Sequence, residues 1–437
     1  MITFQSGQTV WLETAGERCE IMELIGVGTR GQVYRVVFSG QEFALKWYSP
    51  SSGINQQRAT IDLLIEKGPP NDRFLWPMDT ALCQDVAGFG CLMRLREPRF
   101  RSFAELMNRE IDPSFRTLTR VADELVDSFL RLHSMGLCCT DFSFGDIFLD
   151  PDTGEIILCD NDSLVLDGEG IGAPLGTPRF MAPEIISGHA RACASTDLHS
   201  LAVILFHLFM IHHPFEGKRE REITCLDLTS MQRLYGWDAL FIFDPKHGAN
   251  RPVAGVHNNA TLFWNLYPDY VRDIFTRAFT AGLSEPGERV KESEWRTILI
   301  QMRDQIYYCH KCTAENFLTS DENTPALAAG QPCWACGETP IPPMRLRFKS
   351  HSVVLNQDTR LFAHHLDENR PNDYSEIMAE MMQHPTRPDV WGLKNVSSLT
   401  WTSYAPSGKT MEVGTGRSVS LVPGLRVRFG SVEAVVG

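Results

Sequence analysis

Residues 140–162, TDFSFGDIFLDPDTGEIILCDND, decide the fold because they place three carboxylates around a short turn between two apolar strands. The carboxylates belong to Asp141, Asp146 and Asp160. Residues 156–158 are apolar and partly β-branched, which predicts a strand that ends just before Asp160. Carboxylates fixed at strand ends can bind a metal ion and accept a proton. The alternative is a polar hairpin with solvated acids, since Asp and Gly are ordinary turn residues.

A glycine-rich loop precedes this stretch. The segment GVGTRGQV joins two predicted strands and contains Gly26, Gly28 and Gly31. A helix after the loop would have indicated dinucleotide binding, whereas here a second strand follows. Glycine lets backbone N–H groups approach a phosphate, although a plain glycine-rich hairpin is the alternative. Lys46, in the sequence FALK, follows the loop about fifteen residues later and is a candidate phosphate ligand.

The segment GTPRFMAPE, residues 176–184, is the most specific motif downstream. Together with the glycine loop, Lys46 and the three carboxylates, in that order, it resembles the eukaryotic-type protein kinases over residues 18–303. The resemblance implies an α+β protein with a bilobal protein-kinase fold, in which a β-rich N-lobe precedes a helical C-lobe. It also implies a protein serine/threonine kinase that uses ATP and Mg²⁺ to phosphorylate a protein substrate.

The resemblance assigns roles to individual residues. Asp141 would be the catalytic base or hydroxyl orienter, and Asp146 and Asp160 would hold Mg²⁺. Lys46 would act in catalysis by holding the nucleotide phosphates. The other ATP-binding residues implied are Gly26, Val27, Gly28, Gly31, Val33, Ala44 and Met93. The structural residues implied are Thr177 and Glu184 of the GTPRFMAPE segment, Asp197 behind the catalytic loop, and Arg289 as the partner of Glu184.

The sequence also departs from the kinase pattern. Cys139 and Thr140 stand where the family has His and Arg, so a clamp for a phosphorylated activation loop is not expected. Ser143 replaces a Lys that neutralises the transferred phosphoryl group, which puts the rate in doubt. Asp146 replaces an Asn and can still bind magnesium. Asn161 replaces the Phe of the metal loop, which predicts a constitutively assembled site.

The carboxylate partner of Lys46 is not fixed by the sequence. The family places a Glu on the helix that follows the lysine strand, here predicted over residues 55–67. Asp62 and Glu66 are both candidates on that helix, and neither occupies the family position.

Two CxxC pairs follow the kinase-like region. Cys309 and Cys312 precede Cys333 and Cys336 by a spacer of 20 residues. Four thiolates from two tight turns satisfy a tetrahedral ion, so the spacing predicts a zinc ribbon with structural Zn²⁺. Disulfides or a redox CxxC are the alternatives. The other eight of the 12 cysteines lie among apolar neighbours and are expected to be reduced.

The C-terminal region predicts strands again, arranged as a β-sandwich that resembles the forkhead-associated fold. No match to a phosphothreonine pocket is evident, so docking of a partner or of the kinase region is the plainer interpretation. His364 and His365 are predicted on a strand, where they would face opposite sides and not share a metal. The predicted domains are residues 1–95 (N-lobe), 96–304 (C-lobe), 305–343 (zinc ribbon) and 344–437 (β-sandwich).

Composition excludes several function classes. The net charge of −13 argues against nucleic acid or anionic membranes as partners, because basic patches supply that affinity. No apolar run approaches the roughly 18 residues that a membrane span needs. The N-terminus lacks the basic start and apolar segment of a secretion signal, so a cytoplasmic location is expected.

The whole arrangement resembles bacterial kinases encoded with a phosphatase and a von Willebrand-type protein in tellurite-resistance systems, which implies those two proteins as partners. Three hypotheses follow from the sequence. The chain is an active kinase, a pseudokinase that binds ATP as a scaffold, or an adaptor whose zinc ribbon and tail carry the function.

Overall fold

The structure is a computed structural model that describes residues 3–28, 31–50, 53–169, 177–318, 332–367 and 369–437. The chain divides into two compact units. The first comprises Met1–Pro113, Arg120–Ala260 and Phe275–Glu292, and the second Ser114–Thr119, Thr261–Ile274 and Ser293–Gly437. Both α and β elements occur, as predicted, while the predicted lobe and domain boundaries stay predictions. Within the described residues no helix combines the length and apolar character needed to cross a bilayer.

The first unit begins with a closed antiparallel barrel. Its strands follow the order β1-β2-β3-β4-β6-β5, and helix α1 connects β4 to β5. Alternate side chains point inward, which buries Cys19 and Ile21 of one strand with Tyr34 and Trp47 of its neighbours. The elements are β1 (Thr9–Leu12), β2 (Glu17–Val27), β3 (Gln32–Phe38), β4 (Gln41–Tyr48), α1 (Ile54–Lys67), β5 (Asp79–Leu82) and β6 (Phe89–Arg94).

Helices dominate the chain after the barrel. Short antiparallel ladders, β10-β9-β7 and β11-β8, carry the stretch of three carboxylates. Helix α5 is buried almost throughout, because its apolar residues surround the whole helix axis. The elements are β7 (Arg101–Ser102), α2 (Phe103–Met107), α3 (Phe115–Ser134), β8 (Leu137–Cys139), β9 (Ile147–Leu149), β10 (Ile156–Leu158), β11 (Leu164–Leu166), α4 (Pro183–Ile186), α5 (Ala194–Met210), α6 (Lys218–Arg221), α7 (Leu228–Gln232), α8 (Asn258–Leu266), α9 (Asp269–Ala278), α10 (Ala281–Ser284) and α11 (Glu292–Asp304).

The C-terminal strands form a two-stranded ladder, β12-β13, and two larger antiparallel sheets with the orders β15-β14-β23-β22-β19-β20 and β16-β17-β18-β21. The two larger sheets share one core, to which Leu346, Trp401 and Val427 contribute from one sheet and Ala379 and Leu393 from the other. The elements are β12 (Ile306–Tyr308), β13 (Glu315–Phe317), β14 (Arg345–Arg347), β15 (Ser352–Val354), β16 (Arg360–Phe362), α12 (Ala363–Leu366), β17 (Ile377–His384), β18 (Arg387–Asn395), β19 (Trp401–Tyr404), β20 (Thr410–Val413), β21 (Ser418–Ser420), β22 (Arg426–Phe429) and β23 (Val432–Val436).

The prediction that His364 and His365 lie on a strand was wrong. Both lie on the helical turn α12, where their rings are 3.9 Å apart between centroids. The N–H of Phe362 donates to His365 Nδ1 at 2.8 Å, so Nε2 carries the ring proton and donates to the Asp304 carboxylate at 3.2 Å. This bond to the turn's first N–H favours a helical turn over continuation of β16. The two rings therefore do not face opposite sides, and the ligand atoms of Asp304, His364 and His365 lie within 4.8 Å of one another, which removes the reason for expecting that the two histidines could not share a metal ion.

Candidate active site

Lys46 is the centre of an acidic cluster at the open end of the barrel. Strand β4 buries its side chain, and its Nζ lies 2.8 Å from Asp162 Oδ2 and also contacts Asp160 Oδ1. Burial by itself lowers the pKa of this ammonium, but the two carboxylates outweigh it and raise the pKa above its usual value. Lys46 is therefore a fixed positive charge at neutral pH.

Neither candidate on α1 contacts Lys46. Asp62 accepts a hydrogen bond from Arg58 of the same helix, with 3.1 Å between Nε and Oδ1, and Glu66 is exposed. The carboxylates that contact Lys46 are instead those of Asp160 and Asp162, which lie two residues apart in the sequence DND. Sequence reasoning therefore missed Asp162, and the signal for it was the second aspartate in the sequence DND.

The loop that carries Asp160 is anchored on both sides. Asp160 adopts a left-handed backbone conformation, with φ 59° and ψ 40°, which a residue other than glycine rarely takes. The Asn161 amide donates to the Leu75 carbonyl at 2.8 Å, and the Ser163 hydroxyl donates to the Asp141 carbonyl at 3.1 Å. Asn161 thus forms a polar anchor where the kinase family has an aromatic ring.

Asp141 and Asp146 lie in the loop between β8 and β9. The N–H of Thr177 donates to Asp141 Oδ1 at 3.0 Å, which joins this loop to the GTPRFMAPE segment. Asp146 is buried, and its Oδ2 accepts the Ser143 N–H at 2.6 Å in a capping box that closes a 3₁₀ turn. Burial, with the nearby Asp160, raises the pKa of Asp146 to about 7.

Asp141, Asp146 and Asp160 line one recess, together with Asn161 and Ser163. Carboxylate oxygens are the ligands that magnesium prefers, and three of them in one recess repel one another unless a cation is present. Burial is the main cause of the raised pKa of Asp146, and the nearby charge of Asp160 adds to it. The donor set therefore fits a divalent cation such as Mg²⁺.

Asp197 supports the catalytic loop from behind. Its Oδ2 accepts the Cys139 N–H at 2.8 Å and contacts His133 Nε2 at 3.2 Å. His133 Nδ1 lies 2.5 Å from Glu292 Oε1. Burial opposes protonation of this histidine, but the bonds to Asp197 and Glu292 overcome it and raise the pKa of His133 to about 9. A charged imidazole thus links α3 and α5 to Glu292, all within the first unit.

Glu184 and Arg289 form the ion pair that the sequence implied. Arg289 Nη1 and Nη2 lie 2.7 and 2.8 Å from the two oxygens of Glu184, in a bidentate geometry. Arg289 is 4% exposed and also donates to the carbonyls of Ser195 and Gly282. Its hydrogen bonds therefore tie α4 to the start of α5 and to α10.

The strands bring the remaining predicted nucleotide ligands together. Val33 of β3 pairs with Lys46 of β4, and Ala44 of β4 pairs with Met93 of β6. In the glycine loop Gly26 and Val27 end β2, and the Gly28 N–H donates to the Gly31 carbonyl at 2.8 Å. Residues 29–30 of this loop and Gly176 of the GTPRFMAPE segment lie outside the described residues.

Gly31 is required by close packing. A Cβ built on it would lie 2.3 Å from the Trp47 carbonyl oxygen, which no side chain can tolerate. A Cβ on Gly28 would meet only the Gly31 carbonyl oxygen, at 3.8 Å. Of these two positions, packing therefore excludes a side chain only at Gly31, where the chain entering β3 approaches β4 closely.

The four cysteines of the CxxC pairs converge in the second unit. The Cys309 and Cys336 sulfurs are 3.7 Å apart, and those of Cys312 and Cys333 are 3.6 Å apart. Thiolates on a tetrahedral zinc at about 2.3 Å lie roughly 3.8 Å apart, whereas a disulfide measures about 2.05 Å. All four sulfurs lie within 4.8 Å of one another, so the cluster is compatible with a zinc ribbon and not with disulfides.

Backbone N–H groups at one knuckle favour the thiolate form. The N–H groups of Cys336 and Ala335 point at Cys333 and, against the opposing effect of burial, lower the pKa of its thiol to about 6. The Asn316 amide donates to the same sulfur at 3.6 Å. A metal ligand that is already deprotonated needs no proton release on binding.

Comparison with known proteins agrees with this geometry. Residues 93–252 match the family model described as the protein kinase domain. A relative from Encephalitozoon cuniculi, described as a probable dual specificity protein kinase YAK1 homolog, is 26% identical over 53% of this chain and 56% of its own length. A probable LIM domain-containing serine/threonine-protein kinase of Dictyostelium discoideum is 21% identical over 48% of this chain and 32% of its own length. Protein kinase C delta type of Mus musculus is 32% identical over 24% of this chain and 16% of its length.

These findings confirm the predicted protein kinase domain and its likeness to serine/threonine kinases. The chain spans about half the length of the first of these relatives and a third or less of the other two. The family-model match ends at residue 252, before the four-cysteine cluster and the C-terminal sheets, so the roles of those parts are matters of proposal.

Proposed function

We propose that the chain is an ATP-dependent protein kinase that transfers the γ-phosphoryl group of ATP to a serine or threonine hydroxyl of a protein. The observation that carries the proposal is the convergence of Asp141, Asp146 and Asp160 on one recess, with Lys46 in contact with Asp160. The kinase-domain match over residues 93–252 supports it.

Each group has a distinct task in this proposal. Lys46 and the glycine loop hold the triphosphate, and Asp146 and Asp160 hold Mg²⁺, which offsets the charge on the phosphates. Asp141 accepts the proton of the substrate hydroxyl as the new O–P bond forms. The bond between the γ-phosphorus and the bridging oxygen breaks, and ADP leaves with the electron pair.

One observation favours a second candidate, an ATP-binding scaffold. Ser143 stands where the family has a cationic Lys, and here its hydroxyl accepts the Gly145 N–H at 3.2 Å and so completes the turn that holds Asp146. Its role is therefore structural, and it brings no charge to the transferred phosphoryl group. We expect slow transfer, because one cation less leaves the transition state less stabilised.

Incubation of the purified protein with Mg²⁺ and labelled ATP separates the candidates. For a kinase, label appears on the protein or an added protein substrate, and the Asp141→Asn variant loses about 10² to 10⁴-fold of the rate because the base is gone. Asp152→Asn, in an exposed turn, is the matched control and keeps the rate. ATP binding by calorimetry without any label supports the scaffold. Absence of ATP binding, with or without Mg²⁺, contradicts both and leaves the adaptor hypothesis.

We also propose roles for the second unit and for the protein in the cell. The four-cysteine cluster holds structural Zn²⁺, which its sulfur spacing supports. The C-terminal sheets serve for docking of a partner or for regulation, and their forkhead-associated resemblance is part of this proposal. A bacterial signalling context, and a phosphatase and a von Willebrand-type protein as partners, follow from the sequence resemblance, and a cytoplasmic location is part of the same proposal.

A further inference from the structure

We propose that Asp162 positions Lys46 for the nucleotide, so that the pairing of this lysine does not depend on helix α1. The inference rests on the proposed function, because it concerns the regulation of that same site. Asp162 touches the lysine and not the reacting atoms, which makes it a positioning residue.

The contacts of Asp162 suit a permanent partner of the lysine. Its side chain is 2% exposed, and Oδ2 lies 2.8 Å from Lys46 Nζ. Tyr48 lies two residues further along the same strand, and burial, together with the neighbouring Asp162 carboxylate, raises the pKa of Tyr48 well above its usual value. Removal of one partner of such a buried pair leaves an uncompensated charge, so the pair persists.

The two acids that contact Lys46 differ in access to solvent. The Asp160 side chain is 48% exposed and lines the recess, whereas that of Asp162 is enclosed. A cation that enters the recess can therefore take Asp160 as a ligand while Lys46 stays paired with Asp162. Without Asp162, the ammonium and the cation would compete for the single carboxylate of Asp160.

The polar contact that helix α1 makes with Asp162 comes from a neutral side chain. Gln57 Nε2 donates to the backbone carbonyl of Asp162 at 3.2 Å. Within the described residues, the acids that contact Lys46 are Asp160 and Asp162, and both belong to the metal loop. A shift of α1 would break this neutral hydrogen bond, whereas both members of the ion pair between Lys46 and Asp162 lie outside the helix.

This site therefore lacks control by movement of a helix. Where a helix supplies the carboxylate, movement of that helix breaks the ion pair and disables the lysine. Here the carboxylate lies two residues from Asp160 in the same anchored loop, with Asn161 bonded to the Leu75 carbonyl between them. Lysine pairing and metal binding are therefore assembled together by the fold of one short loop.

Phosphoryl transfer by Asp162→Asn, measured as a function of Mg²⁺ concentration, tests the inference. We expect a loss of about 10²-fold in kcat/KM and a several-fold higher Mg²⁺ concentration at half-maximal rate, since Lys46 then occupies Asp160. Excess Mg²⁺ and the conservative variant Asp162→Glu should each restore part of the rate. Asp62→Asn and Glu66→Gln on α1 are the matched controls and should transfer at the wild-type rate.

A measurement without nucleotide keeps the inference testable even if the proposed function fails. Double-mutant cycles of urea unfolding compare Lys46→Met with Asp162→Asn, Asp62→Asn or Glu66→Gln. We expect a coupling only with Asp162. Additive effects of Lys46→Met and Asp162→Asn, an unchanged Mg²⁺ dependence in an active enzyme, or loss of transfer in an α1 variant would each overturn it. Failure of the wild type to bind ATP instead contradicts the proposed function.

Discussion

At the scale of single residues, the candidate site is shaped by charges that burial forces into pairs. Lys46, His133 and Arg289 are each buried or nearly so, and each contacts two carboxylates or a bidentate one. In all three cases the attraction exceeds the cost of removing the charge from water only because hydrogen bonds are made as well. Each pair therefore specifies one arrangement of the elements that carry its members.

His133 predicts a pH dependence of stability. Its pKa is about 9 in the folded protein and about 6.5 when unfolded, so the folded state binds the proton more tightly. The stabilisation is complete below pH 6.5 and is lost as the pH rises through 9, and its size is about 3 kcal/mol. Urea unfolding at pH 6 and pH 9.5 should show a smaller pH effect in His133→Gln than in the wild type. His189→Gln, at an exposed position, is the control, and equal pH effects in all three proteins would contradict the prediction.

At the scale of elements, turns and strand ends place the site residues. The barrel strands carry Lys46 and the side chains predicted to face the nucleotide, while the two short ladders carry the acids. Each acid sits at or beyond the end of a strand, where the backbone must turn and its N–H groups are free to bond side chains. The clearest example is Asp146, whose carboxylate accepts the N–H of the N-cap residue Ser143 and so closes its own turn.

The glycine loop offers a test of close packing against ligand binding. In Gly31→Ala the new Cβ meets the Trp47 carbonyl at 2.3 Å, so β3 must move away from β4. We expect a melting temperature several degrees lower, because forced backbone shifts cost about 1–3 kcal/mol, and weaker ATP binding. Gly28→Ala meets nothing closer than 3.8 Å and should keep the melting temperature. A loss of ATP affinity in Gly28→Ala alone would assign the phosphate approach to that glycine. Equal melting temperatures for the two variants would show that the clash is relieved elsewhere.

The Glu184–Arg289 pair predicts the cost of uncoupling α4 from α10. Lysine in Arg289→Lys cannot keep both bonds to Glu184 together with those to Ser195 and Gly282, so the partly buried carboxylate and the two carbonyls lose donors. We expect destabilisation by about 3 kcal/mol in urea unfolding. Arg233→Lys, whose pair with Asp238 is largely exposed, should change stability by less than about 1 kcal/mol. Similar losses in the two variants would contradict this difference.

At the scale of the whole molecule, the chain forms two compact units, and each of them combines three segments that are not consecutive in the sequence. The second unit takes Ser114–Thr119 and Thr261–Ile274 from the region that resembles a kinase and adds them to Ser293–Gly437. Within that unit Phe115 and Tyr267 pack against Phe317, next to the cysteine cluster. Aromatic contacts of this kind hold together segments that are 200 residues apart.

We expect removal of zinc to cause a local loss of structure in the second unit. A strong chelator should release about one Zn²⁺ per cysteine cluster and should speed hydrogen exchange in β12 and β13, because this small ladder has little core without its metal. Cys333→Ser should show the same exchange without chelator. Exchange in the barrel strands of the first unit serves as the control and should stay slow. Unchanged exchange in β12 and β13 after complete zinc release would contradict a structural role.

Some features of this protein can be predicted from the local sequence, because they depend on residues that are neighbours along the chain. The barrel strands, the buried helix α5, the four-cysteine spacing and the order of the kinase motifs are of this kind. The kinase domain is confirmed by the match over residues 93–252. The pairing of Glu184 with Arg289 was implied by the family resemblance, and the structure places the two side chains 2.7 Å apart.

Other features depend on which segments meet in space, and no local pattern encodes them. The turn that carries His364 and His365 brings His365 against Asp304, 61 positions earlier in the sequence, although the local sequence favoured a strand. The close packing of Gly31 against Trp47 depends on the register of two strands. The partner of Lys46 was expected on α1, at Asp62 or Glu66, but Asp162 reaches it across 116 positions of sequence. Tertiary structure decided that choice, because a buried ammonium pairs with the carboxylate that the folded chain buries beside it, whichever segment supplies it.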